Sequence, residues 1–128
     1  LIGGPHFTYP CRLSRNGYSI QLRSLIDTGA NGFAFLNKPF AKKIQQFCSI
    51  TPRRLLQPIS IKGYDSKVNN QITSYLSLSF TIDKRRMINM PFFLLELGNH
   101  DFILGRIWLE YFKVLPDVAS KALIWPKE

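Results

Sequence analysis

The sequence predicts a mostly β fold, a closed or nearly closed barrel carrying two short helices, and three observations predict it. Short apolar runs alternate with polar residues at the period of two that marks strands with one buried face. Turn residues separate these runs. Only two segments change to a helical period, too few to cross over between the parallel strands of a doubly wound sheet. With 128 residues, 45% of them apolar and 13% aromatic, the chain is expected to fold as one domain around a buried core.

Residues 1–16 read as an N-terminal leader or interface strand, extended and proline-bearing, and 17–128 as the folded domain. Tyr18, Ile20 and Leu22 alternate with Ser19, Gln21 and Arg23, then run into Leu25 and Ile26, so a strand is predicted to end at Asp27. After Gly29 to Gly32, Phe33 to Leu36 is a short apolar strand. Asn37 fits a helix N-cap with Pro39 just inside, and Phe40, Ile44 and Phe47 fall at helical spacing. Residues 48–57 read as a polar connection. Pro58 to Lys62 begins a second β region with Ile59 and Ile61 inward. Turn chemistry follows from Gly63 to Asn70, and Tyr75 to Ile82 places Leu76, Leu78, Phe80 and Ile82 on one face of a long hairpin. Asp83 to Arg86 turns the chain into a strand from Met87 to Leu95. A loop, Gly98 to Asp101, precedes the apolar triplet Phe102-Ile103-Leu104. Beyond Gly105, Arg106 to Phe112 is the second helical piece, with Ile107, Leu109 or Trp108, and Phe112 as its apolar face. Lys121 to Trp125 is a terminal strand stopped by Pro126.

Composition narrows the function classes. No apolar run approaches the roughly 20 residues needed to cross a bilayer, so no membrane association is expected. The chain opens on Leu1 with no basic segment leading into an apolar run, and reads as a piece of a longer polypeptide. Cys11 and Cys48 have no metal-ligand spacing and are expected as reduced thiols of an intracellular protein. The net charge of +9 is uneven: residues 1–64 hold nine Lys/Arg against Asp27 alone, and residues 65–128 hold eight against seven acids. Such a surface attracts polyanions. Yet the cations come as scattered pairs with no interleaved Arg/aromatic stripe, so nucleic acid is expected only as an incidental partner.

The informative stretch is Leu25-Ile26-Asp27-Thr28-Gly29-Ala30. An ionisable carboxylate directly after two apolar strand residues sits where a buried strand meets a tight turn, and its burial is costly unless compensated. Gly29 lets backbone N–H groups approach the carboxylate, and the Thr28 hydroxyl can bond neighbouring main chain, so the loop can hold Asp27 rigid and partly desolvated. An Asp before a Gly is also a common turn device. Two further features accompany this one: a glycine-bearing hairpin in the middle, and Ile103-Leu104-Gly105 before a short helix near the end.

In these three ordered features the sequence resembles the retropepsins, the aspartic proteases of retroviruses and long-terminal-repeat retrotransposons, over about residues 18–125. It looks most similar to gypsy-type elements in the stretch His100-Asp101-Phe102-Ile103-Leu104-Gly105-Arg106 with Trp108-Leu109. The resemblance implies an acid-protease barrel with one lobe per chain and no metal or organic cofactor. It implies that Asp27 is the catalytic aspartate, that Thr28 joins a hydrogen-bonded grip between subunits, and that Gly29 supports the carboxylate. Ala30 would line the substrate cleft beside Asn31. Lys62, Gly63, Tyr64 and Asp65 would belong to a flap over the peptide. Ile103, Leu104 and Gly105 would pass through the catalytic loop, followed by Arg106. Retroviral relatives pair that arginine with an acid just after the Asp-Thr-Gly-Ala motif; this chain has Asn31 there, which is expected to deprive Arg106 of its carboxylate.

Peptide hydrolysis of this kind needs one carboxylate to take a proton from water and a second, protonated, to give one to the scissile carbonyl. No second Asp-Thr/Ser-Gly occurs: Asp65-Ser66 is followed by Lys67, Asp101 by Phe102 and Asp117 by Val118. Asp27 is therefore expected to meet Asp27 of a second copy across a two-fold axis. The expectation is a homodimeric aspartic endopeptidase that processes a retrotransposon polyprotein, in the cytoplasm or within virus-like particles. Two alternatives stand beside it: a catalytically silent module of the same fold for dimerisation or peptide binding, and a basic nucleic-acid-binding barrel.

Overall fold

In the computed structural model, which describes residues 4–61 and 70–127, the elements follow in a plain order. They are β1 (His6–Arg15), β2 (Tyr18–Asp27), β3 (Ala34–Asn37), α1 (Lys38–Cys48), β4 (Arg53–Ile61), β5 (Asn70–Ile82), β6 (Arg85–Leu95), β7 (Phe102–Leu104), α2 (Arg106–Tyr111), β8 (Leu115–Asp117) and β9 (Ala122–Ile124). Seven strands form one sheet in the order β1-β2-β7-β3-β6-β5-β4, and β1 also pairs with β5, closing six of them into a barrel with β4 on the outside. The mostly β, closed barrel with two short helices is the fold the chain adopts.

Tight turns set the register. Asn16 and Gly17 both take positive φ, 54° and 83°, in the two-residue turn between β1 and β2. Asp83 and Lys84 do the same between β5 and β6, at 52° and 65°. Residues 6–15, expected within a leader or interface strand, pair with β2 along their whole length and with β5 from Cys11 to Ser14.

Alternation then sorts the side chains. Leu76, Leu78, Phe80 and Ile82 point inward as expected, joined by Leu13, Ile26, Leu36, Phe92 and Leu104. At the centre, Phe80 lies 5.4 Å from Phe102 and 6.1 Å from Trp108 between ring centroids, edge to face. A second buried cluster gathers Leu25, Ala30, Phe35, Ile72, Leu95, Leu97 and Ile103.

Several local expectations change. β4 starts at Arg53, inside the segment read as a polar connection, and Ile59 is exposed instead of inward. β4 pairs with β5 alone, and its register slips between Arg54 and Ile59, so no clean alternation marks it. Helix α1 buries Ala41, Ile44 and Cys48 while Phe47 stays exposed against Tyr18, because the two small residues let the helix approach the barrel closely. Asn37 sits at the N-cap without a side-chain capping bond; its Oδ1 instead accepts the Leu97 amide at 2.8 Å. In α2, Trp108 and Leu109 are buried and Ile107 is exposed. β8, unanticipated, pairs with β9, which is shorter than the terminal strand expected.

Two outcomes follow from this packing. A Cβ on Gly105 would lie 2.3 Å from the Gly32 carbonyl oxygen and 2.9 Å from that of Ala30, both backbone atoms. Gly105→Ala should therefore cost about 1–3 kcal/mol and lower the thermal midpoint by several degrees, read by circular dichroism; an unchanged midpoint would show that the crossing yields. Both cysteines are free and buried. Burial pushes the Cys11 thiol from 9.0 up to about 12, against weaker opposing pulls from Ser24 and Arg23. The folded thiol thus holds its proton more tightly than the unfolded one, so its contribution is whole below about pH 9 and is lost as pH rises toward about 12. Cys11→Ala should flatten the decline in thermal midpoint across that window.

Candidate active site

β2 carries Leu25 and Ile26 into the sheet by parallel pairing with Ile103 and Leu104 of β7, and ends on Asp27. The chain then turns tightly: the Ala30 amide donates to the Asp27 carbonyl at 3.2 Å, and the Gly32 amide to the Ala30 carbonyl at 3.1 Å. The Gly29 amide donates to Asp27 Oδ1 at 3.0 Å. Asp27 is 0% exposed, and its Oδ2 is buried with no hydrogen-bond partner among the described residues.

The loop is locked from beneath by the chain leaving β7. The Gly105 amide donates to the Phe33 carbonyl at 2.9 Å, that of Arg106 to Ala30 at 2.8 Å and that of Ile107 to Gly32 at 2.9 Å. The last two belong to the first turn of α2, whose amides have no intrahelical partner. Ile103 and Leu104 pair with Leu25 and Ile26, and the amides of Gly105, Arg106 and Ile107 bond the carbonyls of the loop beyond Asp27.

The N-terminal segment lies against the other side. In the β1–β2 register, His6 is opposite Asp27. The Thr28 amide and hydroxyl both donate to the Pro5 carbonyl, at 3.3 and 3.0 Å. Gly4 packs so closely that a Cβ there would come within 2.6 Å of the Gly29 nitrogen. The Thr28 hydroxyl therefore bonds neighbouring main chain, with Pro5 as acceptor. Asp27 itself has no exposed surface in the single chain.

Arg106 is better supported than expected. Its Nη2 donates to Asn31 Oδ1 at 2.6 Å and its Nη1 to Glu110 Oε1 at 2.5 Å. The amide oxygen of Asn31 takes over as acceptor, and Glu110, one turn along α2, supplies a carboxylate. This pair is solvent-exposed and contributes at most about 1 kcal/mol. Ala30, expected to line the cleft, is fully buried in the second cluster, whereas Asn31 is exposed. Lys62, Gly63, Tyr64 and Asp65, the expected flap residues, lie outside the described residues. Among the described residues no group of three or more His, Cys, Asp or Glu gathers to hold a metal ion.

Pro5, Gly4 and Glu110 were not singled out from the sequence. A signal for the first two exists: a two-residue turn at Asn16 and Gly17 forces the facing strands into a register that puts residue 6 opposite residue 27. Glu110 stands four residues beyond Arg106, the spacing of a helical ion pair.

Comparison with known proteins agrees with this geometry. The retroviral protease-like domain of Ddi1 from Leishmania major superposes with a TM-score of 0.62 at 16% identity, over 96% of this chain and 90% of that one. A retropepsin-like aspartic protease from Rickettsia conorii superposes with a TM-score of 0.52 at 24% identity, over 88% of this chain and 76% of that one. At such identities the likeness is one of fold. No curated protein matches the sequence. Residues 17–128 match the retroviral aspartyl protease family, and the chain belongs to that family.

Proposed function

We propose that this chain is an aspartic endopeptidase that works as a homodimer, with Asp27 of each copy forming the catalytic pair. The observation that carries the reading is the state of Asp27: one carboxylate oxygen is fixed by the Gly29 amide, and the other is buried with no partner among the described residues. A buried carboxylate oxygen left without a donor is costly, and a protonated carboxyl from a second copy is a donor that satisfies it. Two carboxylates within about 3 Å share one proton, because both cannot ionise cheaply. The ionised member then takes a proton from water as the water oxygen attacks the scissile carbonyl carbon, and the protonated member gives its proton to the carbonyl oxygen. Collapse of the tetrahedral adduct breaks the C–N bond: the amine leaves with the proton taken from water, and one hydroxyl of the adduct returns its proton to the other carboxylate, restoring the shared proton.

Support for a second copy comes from the surface beside the catalytic loop. Ile107, Tyr111, Leu115 and Ile124 are large apolar side chains left exposed on α2, β8 and β9. A groove of about 570 Å³ among these elements includes Thr28, Arg106 and Glu110. A partner seated there adjoins the loop that carries Asp27. Extended substrate would lie between the copies, adding strand-like hydrogen bonds. The stretch from His100 to Arg106 with Trp108 and Leu109 supports a retrotransposon of the gypsy type as the source, and its polyprotein as the substrate, cleaved in the cytoplasm or inside virus-like particles.

The test is cleavage of an extended apolar peptide at mildly acidic pH. Asp27→Asn should lower turnover by about 10²–10⁴-fold or more. Wild-type specific activity should rise with protein concentration and then saturate, and should fall on both the acid and the alkaline side of an optimum, as a proton-sharing pair requires. Equal background turnover in both proteins would leave a silent dimerisation module; full activity independent of concentration would remove the homodimer.

A further inference from the structure

The amino-acid sequence shows no run in which arginines and aromatics interleave, but the folded sheet builds one across strands. Register pairs join Leu25 to Ile103, Ile103 to Phe35, Phe35 to Phe93, Phe93 to Tyr75 and Tyr75 to Arg53. Directly opposed residues share a face, so these six form one row across β2, β7, β3, β6, β5 and β4. The row is buried at its Leu25 end, half-exposed at Phe93 and Tyr75, and open to solvent at Arg53. Five inter-strand steps of roughly 4.8 Å put Arg53 about 24 Å along the sheet from the strand that ends in Asp27.

At the exposed end the row floors a groove of about 520 Å³. The Tyr75 and Phe93 rings lie 6.1 Å apart, tilted by 52°. Arg53 stands at one side, and Arg15 reaches in from β1, with one guanidinium nitrogen donating to the Ser77 carbonyl and its other N–H groups left over. No carboxylate lines the groove, and neither arginine forms an ion pair among the described residues. The groove therefore combines two fixed positive charges with aromatic ring surface, on a chain of net charge +9.

We propose that this groove binds a short stretch of single-stranded nucleic acid, with phosphates on Arg15 and Arg53 and a base against the Tyr75–Phe93 rings. Guanidinium groups meet phosphate oxygens by charge-assisted hydrogen bonds, and any base stacks on an aromatic face, so such a site is tolerant of sequence and sensitive to salt. An acidic peptide would satisfy the arginines but leave the ring faces unused. The site is separate from the catalytic loop and does not depend on the peptidase reading.

Fluorescence anisotropy with a labelled twelve-nucleotide oligo(U) tests it at low and physiological salt. Wild type and Asp27→Asn should bind alike, more weakly at the higher salt. Arg53→Ala, on an exposed edge strand outside the core, and Tyr75→Leu, which keeps apolar bulk but no ring, should each weaken binding about fivefold or more. Lys42→Ala, an equal loss of charge on exposed α1, should change it less than twofold. An oligo(U) carrying 5-iodouracil should photocrosslink to the peptide holding Tyr75 or Phe93, which does not depend on any variant folding. Absence of saturable binding at low salt, equal weakening by Lys42→Ala and Arg53→Ala, a crosslink confined to other strands, or equal competition by a twelve-residue oligoglutamate would each overturn the proposal.

Discussion

Two amides at the start of α2, those of Arg106 and Ile107, have no helical carbonyl to bind, and both are taken by the loop that follows Asp27. A helix start and a strand end are thereby tied by main-chain hydrogen bonds. The tie works only because nothing projects from Gly105, where an added methyl group would meet the Gly32 carbonyl oxygen at 2.3 Å. Parallel pairing of Leu25 and Ile26 with Ile103 and Leu104 brings the crossing to that point, and burial of Trp108 behind it holds α2 in place. The position of Asp27 is consequently set by backbone geometry and core packing together.

That rigidity has a thermodynamic cost. A carboxylate out of contact with water, with one oxygen unpartnered, is destabilising unless another group completes its hydrogen bonding. The fold offsets the penalty elsewhere, in the edge-to-face set of Phe80, Phe92, Phe102 and Trp108 and in a closed barrel whose edges are nearly all paired. The same account explains why Pro5 lies where it does. Its carbonyl satisfies both donors of Thr28, so the residue beside Asp27 adds no unsatisfied group of its own.

The barrel was legible because its inner strands obey a strict period: Leu76, Leu78, Phe80 and Ile82 have no other sensible arrangement. The stretches Asp27 to Gly29 and Ile103 to Gly105 stood out through the resemblance to retropepsins; residue chemistry alone left Asp27-Thr28-Gly29 readable as a turn as well. What escaped reading lacked such a pattern. β4 is an edge strand with a slipped register and mostly exposed side chains, so its Arg53 and Arg54 look like loop. The face of α1 was misplaced because Phe40 and Phe47 are more hydrophobic than Ala41 and Cys48, while close packing favours the smaller pair. β1 is a different case: residues 1–16 read as a leader or interface strand although Asn16-Gly17 carries a hairpin signal, and the contact of Pro5 with Thr28 went unread with them.

The cross-strand row from Leu25 to Arg53 illustrates a general limit on reading chemistry from sequence order. Its six members come from six strands and are separated in the chain by as many as 78 residues, so no window along the sequence contains the row. Only register brings them into line, and register depends on the bulge near Asn89, whose positive φ of 56° lets β6 skip residues against β5 between Leu78 and Phe80. Without that skip, the pairing of Phe93 with Tyr75 could not coexist with that of Met87 with Phe80. A single strained residue on an exposed stretch of β6 thus decides which side chains share the outer face, while the inner face keeps its apolar alternation on both sides of the bulge.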